Sequence, residues 1–382
     1  MMKKLVKNTM STDEKWIKET FRYLHQHPEI SWEEVETTAY IKRELTQLGC
    51  RVTTFDDCTG VVGEYGDFDQ QVPVIAIRAD IDALWQEVDG VFQANHSCGH
   101  DAHMAMVLGL VRKLTQNQAL KSKVAIKFIF QPAEEQGAGA LKMVEKGVVD
   151  DVDYLFGIHL RPQEEMPMGA ASPVIIHGAT TMYKAEILGE DAHAARPHLN
   201  VNAIEVASEM IHMLSNLHVN PRIPHSVKMT NITAGGKSTN IIPGRATFAI
   251  DIRAQNNEVM DTLEHKVMDI FQATSALHGV EVNIINKEKV PAAKTSEPAI
   301  KLMKQSIRDV LGPSNLAPPL MTPGGDDFHF YTVKRPQLKA TMIGLGCDLQ
   351  PGLHHPSMTF NEDALIHGVN ILFEAIRNAY KL

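Results

Sequence analysis

The chain has 382 residues, more than one hydrophobic core usually serves, so two domains are expected. Hydrophobic residues make up 44%, ordinary for a globular protein, and the formal net charge of -9 comes without any long basic run. These figures argue against nucleic acid and anionic membrane as partners, and no apolar run approaches the length of a bilayer span.

The opening MMKKLVKNTM has lysines but no apolar core or small-residue cleavage site after them, so it reads as a frayed tail rather than a signal peptide. In STDEKWIKETFRYLHQHPE, Ser11 stands three residues before Glu14 as a capping box. Trp16, Ile17, Phe21 and Leu24 then share a helical face, and Pro28 ends the helix. A second helix is expected over EEVETTAYIKRELTQLG, with Val35, Ala39, Leu45 and Leu48 as its apolar positions and Gly49 as its stop. Next, VPVIAIRAD, KVAIKFIF and VDYLFGIHL read as buried strands, with DAHMAMVLGLVRKL and GALKMVEKG as helices between them. That alternation predicts an α/β fold with a mainly parallel sheet and helices packed on its faces. From about residue 180 the order becomes β-α-β-β-α-β, that of an inserted α+β domain of the split βαβ, ferredoxin-like type. The first texture returns with helices around 297–311 and 362–380 flanking KATMIGLG. The expected domains are 1–178 and 289–382 together, with 179–288 inserted as a lid.

Chemistry-bearing residues gather where the predicted strands end. Asp80 and Asp82 close one strand, Glu134 and Glu135 follow the next, and His159 ends a third. Ligands of open α/β sheets bind beyond the carboxyl ends of the strands, so these groups converge on one edge. HSCGHD adds Cys98 and His100, soft and borderline donors that suit a first-row metal. The four cysteines (Cys50, Cys58, Cys98, Cys347) are irregularly spaced, which favours a reducing, cytoplasmic setting over a disulfide framework. Absence of a C-x-x-C pair removes the zinc knuckle and the thioredoxin-like redox motif. With Glu135, His159 and one histidine of GLHHP the donors number five, more than one catalytic zinc takes, which predicts two divalent ions sharing ligands. Of two adjacent glutamates, one can bind metal while the other serves as general base on a metal-bound water.

The motifs HQHPEISWEEVET, IRADIDAL, HSCGHDAHMAM, FQPAEEQGAGA, GIHLRP, HAARPH, STNIIP, DDFHFY and GLHHP occur in this order. Together they resemble the M20-type metallo-amidohydrolases, in the branch of N-acyl-amino-acid amidohydrolases, hippurate hydrolase and plant auxin-conjugate hydrolases. The resemblance spans about residues 13 to 378. It implies a two-metal site (Zn, Mn, Ni or Co) held by Cys98, His100, Glu135, His159 and His354. Glu134 would be the general base, and Asp80 and Asp82 would orient the ligands. It further implies His193, on a lid that closes over the metals, as oxyanion donor, and Asn240 and Arg253 as holders of the substrate carboxylate. The expected substrate is a small N-acyl amino acid. A homodimer through the lid is suggested by the stripe Ala203, Val206, Met210, Met213 and Leu214, which packing on the lid's own sheet would equally explain. Departures are Trp85 and Gln86 in DALWQEVDG, Gln136 and Ala138 in EEQGAGA, and Asn95, where this branch usually carries other residues; none removes a ligand. Competing readings are a dipeptidase or carboxypeptidase of the same superfamily, a Cys98 nucleophile paired with His100, and a non-catalytic binding relative.

Overall fold

The computed structural model describes residues 11–382; the tail reading of residues 1–10 lies outside them. The chain forms two compact units. One holds the described residues up to Ile175 with Lys294–Leu320 and Phe330–Leu382, and the other holds Ile176–Ala293 with Met321–His329. The inserted unit thus takes in residues 321–329, which the expected boundaries leave outside it. The Gly178 N–H donates to the carbonyls of Thr322 (3.0 Å) and Gly324 (3.1 Å), pairing that late segment with the unit's first residues.

In the first unit a seven-stranded sheet runs in the order Arg51–Thr54, Val61–Gly66, Ala125–Gln131, Val74–Asp80, Tyr154–Pro162, Lys339–Leu349, Ala171–Ser172. The four strands from Ala125–Gln131 to Lys339–Leu349 are mutually parallel, and the others join antiparallel at the edges. The strand Tyr154–Pro162 continues three residues beyond His159, because Leu160 and Arg161 pair with Leu345 and Gly346. His159 therefore projects from within a strand rather than from its end.

Helix Thr12–His25 starts on the expected capping box, and its buried face is Ile17, Thr20, Phe21 and Leu24, with Trp16 half-buried beside it. The second helix, Val35–Gln47, turns a different face inward: Thr37, Tyr40, Ile41 and Leu45 are buried, while Val35 and Ala39 are exposed. Counting aliphatic side chains alone shifted the face, since a threonine and a tyrosine fill two core positions. Helix His100–Thr115 packs against both Thr12–His25 and Ala364–Tyr380, and every residue from His100 to Val111 is buried. A helix enclosed this way needs no polar face.

Three features of this unit were not anticipated. Strands Arg51–Thr54 and Val61–Gly66 extend the sheet. Strands Leu84–Val88 and Val91–Asn95 form a hairpin closed by Asp89 (φ 51) and Gly90 (φ 83). Two positive φ values in a two-residue loop mark the turn type that Asp-Gly favours, so this hairpin was readable from the VDGV stretch.

The inserted unit is an antiparallel sheet ordered His225–Ala234, Ala246–Ala254, Ala179–Leu188, Glu281–Val290. That is second, third, first, fourth in chain order, the split βαβ arrangement. Alternate residues Tyr183, Ala185, Ile187, Phe248, Ile250 and Ile252 are buried under helices Ala203–Ser215 and Asn257–His278. Ala203, Val206, Met210 and Leu214 belong to that core and Met213 packs against it. The stripe serves its own sheet, which removes it as an argument for a dimer surface. Among the described residues no helix is long and apolar enough to cross a membrane.

Candidate metal centre and catalytic site

All five proposed ligands lie in the first unit, and the fold brings them together. Gly99 (φ 87) begins helix His100–Thr115, placing Cys98 before it and His100 in its first turn. Cys98 Sγ lies 3.7 Å from His159 Nε2 and 3.3 Å from His354 Nε2. His354 Nε2 is 3.5 Å from Glu135 Oε1, and His100 Nε2 is 3.8 Å from that same oxygen and 3.9 Å from Glu134 Oε2. Three donor groups result: Cys98, His100 and His159; Cys98, Glu135 and His354; His100, Glu134 and Glu135. In each, the donor atoms lie within 4.8 Å of one another. Shared members make this the pattern expected of two ions with ligands in common.

The imidazoles are fixed by their other nitrogens. His100 Nδ1 donates to the Asp82 carbonyl at 2.8 Å, and His159 Nδ1 donates to the Leu160 carbonyl at 2.7 Å, so both present Nε2 lone pairs to the cluster. His103 is different. Its Nε2 accepts the Leu160 N–H at 3.1 Å while Nδ1 donates to Asp80 Oδ1 at 2.6 Å, which leaves it no nitrogen for a metal. Asp80 also takes Arg78 Nη1 at 2.5 Å on its other oxygen. Asp82 Oδ2 accepts the Ser31 hydroxyl at 2.7 Å and the Glu135 N–H at 3.0 Å. Of the two aspartates expected to orient ligands, Asp82 contacts proposed ligands, through His100 and the Glu135 N–H, whereas the hydrogen bonds of Asp80 go to His103 and Arg78, which are not among them.

Charge in this cluster is unbalanced toward acid. Burial, with Glu135 beside it, pushes the Cys98 thiol well above its ordinary range. Burial also pushes Glu135 up to about 7, with His100 drawing it back. Burial alone would lower His100, yet Asp80 and Cys98 raise it well above the usual imidazole range. His159 is held well below that range by burial, then by His103 and Arg161. His100 Nε2 and Glu135 Oε1 are buried with no hydrogen-bond partner among the described residues. Buried polar atoms of this kind call for a partner. A thiol, carboxylates and imidazoles around two such atoms fit divalent cations, which would supply the missing positive charge.

The backbone of the ligand segments is unusual. Ala133 (φ 50) and His354 (φ 63) are left-handed without being glycine, a conformation that persists only where the surroundings enforce it. Past the acid pair, Gly139 runs so close to the chain that an added Cβ would meet the Pro132 carbonyl oxygen at 1.6 Å. His354 is held by its N–H donating to the Ser97 carbonyl at 2.7 Å and by Gln86 Nε2 donating to its carbonyl at 3.1 Å. Asn95 Nδ2 in turn donates to Gln86 Oε1 (2.8 Å) and to the Pro356 carbonyl (3.0 Å). Gln86 and Asn95, two of the departures from the family pattern, therefore tie the hairpin to the segment bearing His354. Their partners lie about 260 residues away in sequence, which is why no local signal revealed the role.

His193, Asn240 and Arg253 belong to the inserted unit. His193 lies on the short strand Ala192–His193, paired with Ile241–Ile242, and the Ala194 N–H donates to the Asn240 carbonyl at 2.9 Å. His193 and Asn240 are thus neighbours, both exposed. Arg253 is not near them. It ends strand Ala246–Ala254, whose start is the end closer to Asn240, and seven residues of strand span about 23 Å. Its guanidinium grips Asp251 through Nε at 3.0 Å and Nη2 at 3.0 Å. Arg253 and the segment bearing Asn240 thus lie toward opposite ends of that strand.

The profile of peptidase family M20/M25/M40 matches residues 76–378. The chain belongs to this family. It is 32% identical over 381 residues to N-acetyl-L-cysteine deacetylase of Bacillus subtilis (strain 168), covering 96% of this chain and 89% of that protein. It is 29% identical over 372 residues to an IAA-amino acid hydrolase of Arabidopsis thaliana, covering 93% and 83% respectively. Among solved structures it is similar to a dinuclear metal-binding peptidase of the M20 family from Bacillus subtilis, at TM-score 0.79 and 26% identity over 97% of this chain and 98% of that one. This M20 chain is therefore an enzyme of the amidohydrolase branch, a metal-dependent hydrolase of amides. The dinuclear relative and the overlapping donor groups both support two divalent metals.

Proposed function

We propose that this enzyme hydrolyses the amide bond of N-acylated amino acids, with Glu134 as the general base. The observation that carries the reading is the adjacent pair Glu134–Glu135 beside Cys98, His100 and His354. Similarity to a deacetylase of N-acetyl-L-cysteine and to an IAA-amino acid hydrolase supports an acyl-amino-acid substrate. Cys98, His100, Glu135, His159 and His354 would hold the metals, and this mixed donor set accommodates Zn, Mn, Ni or Co. Bound there, the ions would polarise the acyl carbonyl and acidify water.

Glu134 takes the proton of the attacking water and passes it to the departing amine. Asp82 fixes His100 and the Glu135 backbone while this happens. His193 Nδ1 accepts the Ala195 N–H at 3.0 Å, so the neutral ring carries its proton on Nε2, the form an oxyanion donor needs. Cys98 as nucleophile is disfavoured: burial and then Glu135 hold its thiol well above the ordinary range even though His100 beside it favours the thiolate. The test is metal analysis of the purified protein followed by N-acetyl, N-benzoyl and indoleacetyl amino acids set against simple dipeptides. Turnover confined to dipeptides would replace the proposal with a dipeptidase, and full activity after chelation would end it.

A further inference from the structure

The acid pair leaves strand Ala125–Gln131 through Ala133, whose left-handed backbone (φ 50) its side chain disfavours. The Ala133 N–H donates to Oε1 of Glu34 at 2.8 Å, across 99 residues of sequence. Glu34 is 0% exposed, and its Oε2 accepts the Thr59 hydroxyl at 2.5 Å.

Glu34 stands at the N-cap of helix Val35–Gln47 yet gives that helix no side-chain bond. A short polar side chain such as Ser, Thr, Asp or Asn at this place would satisfy the helix's own orphan N–H groups, a role glutamate does not ordinarily take. Here Glu29 does so instead, its two oxygens accepting the N–H groups of Glu36 (3.1 Å) and Thr37 (2.8 Å). Glu34 is thereby released to reach inward. A fully buried acid is costly unless its oxygens are bonded, and both oxygens of Glu34 are bonded to groups outside its own helix. The same loop acts on the other side of the pair: Ser31 holds the Asp82 oxygen that accepts the Glu135 N–H. Residues 31 and 34 thus brace the backbone on both sides of Glu134.

We propose that Glu34 is a positioning residue for catalysis: its buried carboxyl holds Ala133 in the left-handed conformation and so sets the direction of Glu134. The inference rests on the reading of Glu134 as base. Burial pushes the Glu34 carboxyl up to about 7; glutamine keeps Oε1 as acceptor for the Ala133 N–H, and the Thr59 hydroxyl can turn to accept from its Nε2.

The test compares metal-loaded Glu34→Ala, Glu34→Gln and Glu34→Asp with a Glu29→Ala control, using the best-turned-over N-acyl amino acid of the panel above. Hydrogen exchange of the 132–139 backbone supplies a readout independent of activity. Glu34→Ala should lower kcat by at least about ten-fold with KM within about two-fold and metal content unchanged, the pattern of a lost transition-state interaction. The Ala133 amide should lose protection. Glu34→Gln should restore both kcat and protection. Glu29→Ala, which uncaps the helix, should lower Tm and leave kcat alone. Glu34→Asp withdraws the carboxyl by one methylene and should behave like Glu34→Ala; it carries the test should the alanine variant not fold. Parental kcat in the Ala or Asp variant, failure of Gln to rescue, or equal kcat loss in Glu29→Ala would each overturn the proposal. A Glu134→Gln variant run alongside separates the two ideas. If it keeps its turnover, the base assignment itself falls; if it is inactive while Glu34→Ala is unimpaired, only the role of Glu34 falls.

Discussion

The two units present their functional residues in opposite ways. In the first, the proposed ligands His100 and His159 are buried with each ring bonded to a backbone carbonyl, while His354 is exposed and held through its own backbone. In the inserted unit, His193 and Asn240 are exposed, and short strands with backbone bonds at 2.9 Å and 2.7 Å hold them. The contrast matches the roles proposed for each. A metal cluster needs several donors within a few ångström at once, which only a packed interior over-determines. A single hydrogen-bond donor needs only the right tautomer and access to substrate.

On that contrast, the largest losses come from the half-buried acid pair Glu134–Glu135. Glu134→Gln should reduce kcat by about 10²–10⁴-fold with metal content intact, since the amide cannot take a proton. Glu135→Gln should lose metal as well. Metal analysis beside kcat separates the two, and a Glu134→Gln enzyme within a few-fold of the parent removes the base from Glu134.

His193→Ala should cut kcat by about 10²–10³-fold, the range for one oxyanion donor, with metal content unchanged. Unaltered kcat at full metal loading would make the exposed histidine structural and reduce the inserted unit's role. Cys98 alkylation tests the buried side again. The metal-loaded protein should resist the reagent at Cys98 and the chelated protein should react faster there, because coordination blocks the sulfur outright while the buried thiol left after chelation is only slowed. Equal rates would take Cys98 out of the cluster.

The smallest effect sharpens how far support for the ligands extends. Gln86→Leu removes the bond to the His354 carbonyl without touching a ligand atom. It should weaken metal binding by about ten-fold, the lower end for outer partners of a metal site, as read by titration with a competing chelator. No change in affinity would show that the Ser97 carbonyl alone holds the left-handed His354.

That Asp80, Asp82, Glu134, Glu135 and His159 converge was legible in sequence because they sit at or near strand ends, and a parallel sheet brings strand ends together. The parallel sheet and the split βαβ unit were legible for a similar reason: periodicity switches from enclosed strands to alternating ones near residue 180. Misreadings arose where periodicity carries less information. The inward face of Val35–Gln47 uses Thr37 and Tyr40, which an aliphatic count ignores. The Leu84–Val88 and Val91–Asn95 hairpin leaves Trp85, Val91 and Phe92 exposed, so no buried run announced it.

The donor types, their order along the chain and the two-part architecture follow from residue identity and local period, whereas the class of chemistry rested on the family resemblance of the motifs. Only the tertiary structure decided which groups support the site. Glu34 to Ala133 and Ser31 to Asp82 are bonds across 99 and 51 residues. Tertiary packing likewise committed His103 to Asp80 and Leu160 rather than to a metal, and separated Arg253 from Asn240 along a strand. The physical reason is the same throughout. A hydrogen bond is chosen by which groups burial leaves without water, and burial is a property of the packed chain rather than of any stretch within it.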